Sequence, residues 1–210
     1  QRPDLSVFPG GTGNDFHWLL YGAMKLEEQV GHVLEVAPRP VDLGVCNDRF
    51  FLNGMGIGFE GEVAKALTGR KKRPGQASFL STVIRKIFSY RSRTYDIHAD
   101  EYKSSGKKLL IDICNGRRAG GGFHVAPVAI PDDGFLNVVI ADPLTSLQRL
   151  LYLPVIEKGK HLERPFVRHF LTKKVLVESN TPISYHLDGE YHSAPQLLVE
   201  IMSGALSFRY

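Results

Sequence analysis

From residue 41 onward, β-branched and aromatic residues alternate with polar ones in short runs, broken at intervals by Gly, Asn or Asp. A period of two predicts half-buried strands. The runs cover residues 41–46, 50–57, 94–99, 109–114, 135–141, 174–178, 183–187, 197–202 and 205–210. Helical spacing interrupts them. Phe79, Leu80, Val83, Ile84, Ile87 and Phe88 recur at three- and four-residue steps and predict a helix over 77–90. Shorter helices are expected over 61–68 and over 146–153, the second stopped by Pro154. Before residue 41 the pattern differs. Residues 16–25 read as a helix behind a glycine loop, and 29–40 as a short polar strand and a connection, with Pro38 and Pro40 marking a boundary. The expected fold is mainly β with a few helices: a β-rich domain over 41–210, preceded by the end of an α/β unit over 1–40. No repeat or low-complexity tract appears.

Composition narrows this picture. A chain of 210 residues with 43% hydrophobic and 23% charged residues can bury a core and is not a disordered segment. No run of about 18 uncharged apolar residues is present, which excludes a membrane-spanning helix. The start, Gln1-Arg2-Pro3-Asp4, has neither an initiator Met nor a signal-peptide profile and reads as the interior of a longer protein. Cys46 and Cys114 both lie in apolar runs, as buried free thiols of a reducing, cytoplasmic compartment do. The net charge of +4 is mildly basic, densest at Arg70-Lys71-Lys72-Arg73 and followed by Arg85, Lys86, Arg91 and Arg93. Such a segment suits phosphates or anionic head groups, or is simply a solvated loop. Aromatics do not interleave with it as they do in single-strand binders, so nucleic acid is not an expected partner.

Three stretches carry candidate chemistry. The first is Pro9-Gly10-Gly11-Thr12-Gly13-Asn14-Asp15-Phe16, where glycines let backbone amides approach a ligand and Asn14 or Asp15 can cap the helix behind. The second runs from Asn115-Gly116-Arg117 through Gly120-Gly121-Gly122 to Ile130-Pro131-Asp132-Asp133-Gly134. Asp-Asp-Gly is a tight-turn signal, and its carboxylate and carbonyl oxygens also suit Mg²⁺ or Ca²⁺. The third is His186-Leu187-Asp188-Gly189-Glu190-Tyr191-His192, in which Asp188-Gly189 predicts a hairpin with carboxylates at its tip, a place for a general base or metal ligand. A metal face of His186, Asp188, Glu190 and His192 along one strand conflicts with that turn.

Together these motifs, with Phe51-Leu52-Asn53 and Gly56-Ile57-Gly58-Phe59 between them, resemble the diacylglycerol-kinase-type lipid kinase family, which includes sphingosine kinases. Five ordered motifs match over nearly the whole chain. The resemblance implies an α/β nucleotide-binding domain followed by a β-sandwich, with the active site in the cleft between them. It places a Gly-Gly-Asp-Gly-Thr phosphate motif shortly before Pro9, so this polypeptide is expected to lack kinase activity by itself and to be a monomer or dimer. Carried over by position, Gly11, Thr12, Gly13 and Asn14 face ATP, with Thr12 contacting the nucleotide. Asp15 joins the acidic network around the catalytic Mg²⁺. A structural Mg²⁺ takes the Asp133 side chain with the Ile130 and Phe135 carbonyls. Asp188 and Glu190 are the catalytic carboxylates, Glu190 the better base. The implied acceptor is a diacylglycerol-like lipid alcohol met at a membrane surface, which makes the protein peripheral and cytoplasmic. An NAD-kinase-like reaction on a soluble nucleotide, or a binding domain that kept the fold, are the alternatives.

Overall fold

The computed structural model describes residues 3–68 and 76–210, so the run Arg70–Arg73 lies outside the described residues. Two helices open the chain, α1 (Asp15–Tyr21) and α2 (Leu26–Glu35). Next come β1 (Pro38–Cys46), β2 (Arg49–Phe51), β3 (Gly54–Gly58), α3 (Phe59–Leu67) and α4 (Gln76–Ser89). Then follow β4 (Arg93–Ala99), β5 (Tyr102–Lys108), β6 (Leu110–Cys114), β7 (Leu136–Ala141) and α5 (Ser146–Glu157). The chain ends in β8 (Val167–Thr172), β9 (Lys174–Leu187) and β10 (Glu190–Arg209).

The strands form one antiparallel sheet in the order β2-β1-β10-β9-β3-β6-β7-β8, with β4 beside β9 and β5 outside β4. The sheet folds over because its two longest strands bend. β9 pairs with β4 at Val175–Glu178 and with β3 at Tyr185–Leu187, changing neighbour around Pro182, which has no N–H for a ladder. β10 shifts register beside Pro195, between Ala194 and Gln196. The two halves then face each other over a core that joins Ile97 and Val177 from one side to Ile111, Ile113 and Val138 from the other, each no more than 1% exposed. Tyr102 stacks on Phe170 at 4.5 Å, drawing the β4–β5 end toward β8. This is the expected β-sandwich. Helices α1 and α2 pack on its β1–β10 end through Leu20, Tyr21, Val41 and Phe208. The expected boundary at residue 40 falls inside β1.

Several expectations are corrected. Residues 29–40 are not a polar strand: α2 runs to Glu35, and buried Gln29 donates to the Val7 carbonyl and pairs with His17, each through one end of its amide. The α2 face bearing Leu26, Val30 and Leu34 stays exposed, although their spacing is that of an amphipathic helix. The expected helix over 16–25 ends at Tyr21, where Gly22 turns to φ 61°. Helix α5 passes through Pro154, which removes one hydrogen bond, to Glu157. The run 50–57 divides into β2 and β3 at Leu52-Asn53, and the last four runs fuse into β9 and β10. Strands β5 and β8 were not expected; both are edge strands, and β5 turns Lys103, Ser105 and Lys107 to solvent.

Candidate functional site

Leu187 pairs with Glu190, and Asp188 and Gly189 take φ 46° and 90°, so the hairpin closes through two residues of the I′ kind. Asp188 does more than turn the chain. Its Oδ2 accepts the Leu52 N–H at 2.7 Å, and its Oδ1 accepts those of Asn53 and Gly54 at 3.0 and 2.9 Å. Burial pushes this carboxyl above the ordinary aspartate range, and the three N–H donors pull part of the way back. Glu190, by contrast, is exposed beside the tip and makes no hydrogen bond or ion pair among the described residues. The four-residue metal face is not formed, since Asp188 points into the amides while His186 pairs elsewhere.

The glycine loop is held by its own asparagine. Asn14, at φ 52°, accepts the Gly11 N–H at 2.8 Å and donates to the Gly11 carbonyl at 2.9 Å. It therefore does not cap α1, contrary to expectation, and neither does Asp15, which turns away to accept the Gly121 N–H at 2.7 Å. Thr12 is exposed at the loop's crest. Gly13 lies so close to Gly121 that a β-carbon would come to 3.2 Å from its backbone. The second Asp15 oxygen faces Arg118 Nε at 3.4 Å, an ion pair too poorly aligned to be a hydrogen bond, and Arg118 lies 4.3 Å over the Trp18 ring. The Arg118 carbonyl accepts from Asn53 Nδ2 at 2.7 Å. Asp15 is thus linked to the Asp188 turn through Arg118 and Asn53.

The Asp-Asp-Gly loop joins the same framework from the other side. Asp42, fully buried at a register shift of β1, accepts the Gly134 and Gly204 N–H groups, each at 2.7 Å. Buried Asn115 donates to the carbonyls of Asp42 and Leu52. Asp133 Oδ1 accepts the Phe135 N–H at 2.9 Å, and burial, with Asp42 and Asp132 nearby, pushes its carboxyl up. The second Asp133 oxygen and the Ile130 and Phe135 carbonyls take no protein hydrogen bond among the described residues. Free oxygens amid excess negative charge fit a hard cation. No cluster of three His, Cys, Asp or Glu side chains occurs among the described residues, so carbonyls would have to complete such a shell.

One arrangement was missed by sequence reasoning. Asp112 of β6, Gly56 of β3 and His186 of β9 stand in one row across the sheet. Glu60, in the first turn of α3, covers Gly56, where any β-carbon would strike Glu60 and His186. His186 Nδ1 accepts the Gly189 N–H at 3.2 Å, which leaves Nε2 to donate to Glu60 at 3.1 Å. Glu60 also meets the Asp112 carboxyl, whose burial beside a second acid holds it well above the aspartate range. Beyond these acids opens a cavity of about 710 Å³ including its mouth. It is narrow, and its walls are mostly apolar: Ile87 of α4, Leu153 and Ile156 of α5, and Val139 of β7 among them. The only sequence signal was Gly56 within an otherwise apolar strand.

This two-sided sandwich with its three convergent loops has known relatives. Residues 53–209 match the family model described as the YegS C-terminal NAD kinase beta sandwich-like domain. The chain belongs to the YegS family. A "Probable lipid kinase YegS-like" protein of Pseudomonas syringae pv. syringae is 32% identical over 204 residues, 96% of this chain and 66% of that protein. One of the same description from Pseudomonas putida is 32% identical over 211 residues, covering 98% of this chain and 68% of that one. The chain thus spans about two thirds of the length of the curated YegS-like relatives it matches. Among solved structures, a diacylglycerol kinase of Bacillus anthracis superposes with a TM-score of 0.68 at 20% identity, over all of this chain and 67% of that one. A second B. anthracis structure reaches a TM-score of 0.76 at 22% identity, over all of this chain and 70% of its own. At these identities the structural likeness speaks for the fold. No helix among the described residues is long and apolar enough to cross a membrane.

Proposed function

We propose that this chain is the larger part of a kinase that moves the γ-phosphoryl group of ATP to the hydroxyl of a diacylglycerol-like lipid alcohol. The observation that carries the reading is the narrow apolar cavity ending at Glu60 and Asp112, joined through His186 to the hairpin that bears Glu190. A chain-shaped apolar ligand fits such a slot. The names of the YegS-like relatives support the same chemistry.

Phosphoryl transfer needs a donor cradle, charge neutralisation and a carboxylate for the hydroxyl proton. The Gly11–Asn14 loop, pinned by Asn14, offers backbone and the Thr12 hydroxyl to the phosphates. Glu190, unpaired beside the tip, accepts the proton as the lipid oxygen attacks phosphorus and ADP leaves. Asp188 positions Glu190 by fixing the turn. Asp15, anchored by Gly121 and Arg118, is the further acid toward Mg²⁺. Asp133, with the Ile130 and Phe135 carbonyls, would hold a Mg²⁺, which would supply positive charge among the loop's carboxylates. A membrane surface delivers the substrate: α4 and α5, which wall the cavity, leave Ile84, Phe88, Leu147 and Leu151 exposed, with Arg85 and Arg91 also exposed.

The test is transfer of labelled γ-phosphate by the intact protein, offered diacylglycerol vesicles and NAD in parallel. Label in the lipid extract is expected. Label in the nucleotide alone, or in neither, refutes the reading.

A further inference from the structure

An apolar cavity ordinarily keeps its few polar groups paired, because a buried donor or acceptor without a partner has lost its hydrogen bonds to water and gained none in return. This one does not. Arg149 directs Nε to the Leu144 carbonyl and Nη1 to those of Ile87 and Tyr90. Two other lining residues keep an open position. His161, only 5% exposed, holds the Val125 carbonyl with Nε2 at 3.0 Å. A carbonyl can only accept, so the ring proton is on Nε2 and Nδ1 is a bare lone pair. That atom is buried and has no partner. Burial keeps the ring neutral by pulling its pKa down, which preserves the lone pair at physiological pH.

Asp112 is 3% exposed and shares its proton with Glu60, burial beside a second acid having pushed its own affinity for that proton up. Its Oδ1 is likewise buried with no partner. With the proton committed toward Glu60, Oδ1 is an acceptor. Two acceptors from separate parts of the chain, β6 and the segment before β8, therefore line one slot, and neither has a donor. A plain methylene chain would leave both that way.

We propose that the slot selects an amphiphile carrying a hydrogen-bond donor, a hydroxyl or amide N–H, on the portion that enters it, with either His161 Nδ1 or Asp112 Oδ1 accepting from that donor. This rests on the lipid reading above and narrows it: among lipid alcohols, those with a second hydroxyl or an amide are preferred over those whose inner groups are esters alone.

The experiment is calorimetric titration of the 210-residue chain with two matched pairs. One is monolauroylglycerol against the amide in which N–H replaces the ester oxygen. The other is a monoglyceride with a stearoyl chain against one with 12-hydroxystearoyl. The donor-bearing member of at least one pair should bind about tenfold tighter, the worth of one well-made hydrogen bond. His161→Phe or Asp112→Leu, whichever removes the accepting atom, should reduce that preference, whereas Asp112→Asn, which keeps an acceptor oxygen, should retain it. Equal affinities within both pairs would mean that ordered water owns these acceptors and would overturn the proposal. So would a preference untouched by both His161→Phe and Asp112→Leu. Binding of none of the four probes would instead refute the lipid reading itself.

Discussion

Removing the Asp188 carboxylate should damage stability out of proportion to its place in a surface hairpin. It accepts three backbone N–H groups at 2.7, 3.0 and 2.9 Å, which hold the β2–β3 turn against the β9–β10 hairpin. A hydrogen bond to a charged group contributes about 1.5–3 kcal/mol, so three independent ones sum to roughly 4.5–9 kcal/mol. Two effects reduce this: water can reach amides freed at a surface turn, and burial of the ionised acid already works against it. Asp188→Ala should therefore cost about 3–5 kcal/mol. For a chain of this size that lowers Tm by about 6–20 °C. Asp188→Asn is the discriminating variant. Its oxygen can still serve Asn53 and Gly54, while its NH₂ faces the Leu52 N–H, so it should lose about one bond, roughly 1.5–3 kcal/mol. Thermal and urea unfolding of the three chains, without nucleotide or lipid, measure this. An Ala variant melting within about 2 °C of the parent, far inside the range expected for such a loss, would refute the positioning role.

Glu190→Gln should lower kcat for lipid phosphorylation by about 10²–10⁴, the usual worth of a general base, with folding and ATP affinity intact; a loss under about threefold would remove it from the mechanism. For the loop carboxylate, Mg²⁺ at a hundred times its Kd should add about 2.7 kcal/mol to the parent's stability, and Asp133→Ala should abolish that gain. An equal Mg²⁺ response in both chains would show that the ion binds elsewhere. Asp112→Asn should show a pH signature. The folded-state pKa of Asp112 is raised, so its favourable contribution is complete below the unfolded value of about 3.9 and is lost as pH rises toward the folded value. Over that window the parent should lose about 1.4 kcal/mol per pH unit relative to Asp112→Asn. Glu60, which faces it, and His186 beyond are unchanged in both proteins, so parallel stability curves would contradict the shared-proton arrangement.

How much of this was legible varied with the range of the interaction. The Asp188-Gly189 hairpin could be read directly, because only a few residue types take positive φ at both positions of such a turn. Helix α4 was equally plain, since Val83 and Ile87 repeat on its buried side. Helix α2 carries the same spacing in Leu26, Val30, Val33 and Leu34, so the pattern itself gives no ground for a strand there; what it does not encode is that this face stays exposed while polar Gln29 is buried. The long strands were read as fragments because Pro182 in β9 and Ser203-Gly204 in β10 break the alternation, although the chain stays paired on either side. Among site residues, the turn-borne acids announced themselves. The Glu60–His186 pair spans 126 residues and depends on Gly56 leaving space between two strands that only the fold brings together. No local pattern encodes that. The same holds for His161, which looks in sequence like any loop histidine yet reaches the Val125 carbonyl across the cavity wall.

In the proposed function the cavity between α4, α5 and the sheet receives the lipid's chain while the loops beneath carry out the transfer. Ile156→Trp places a bulky ring in that slot, away from Asp15, Asp133, Asp188 and Glu190. The direct measurement is kcat/KM of the intact enzyme and this variant on a long-chain and a short-chain lipid alcohol of the same head group. We expect the long-chain value to fall at least about tenfold, or 1.4 kcal/mol, while the short-chain value holds within about twofold. An equal fall for both substrates, or no fall for either, would contradict the account.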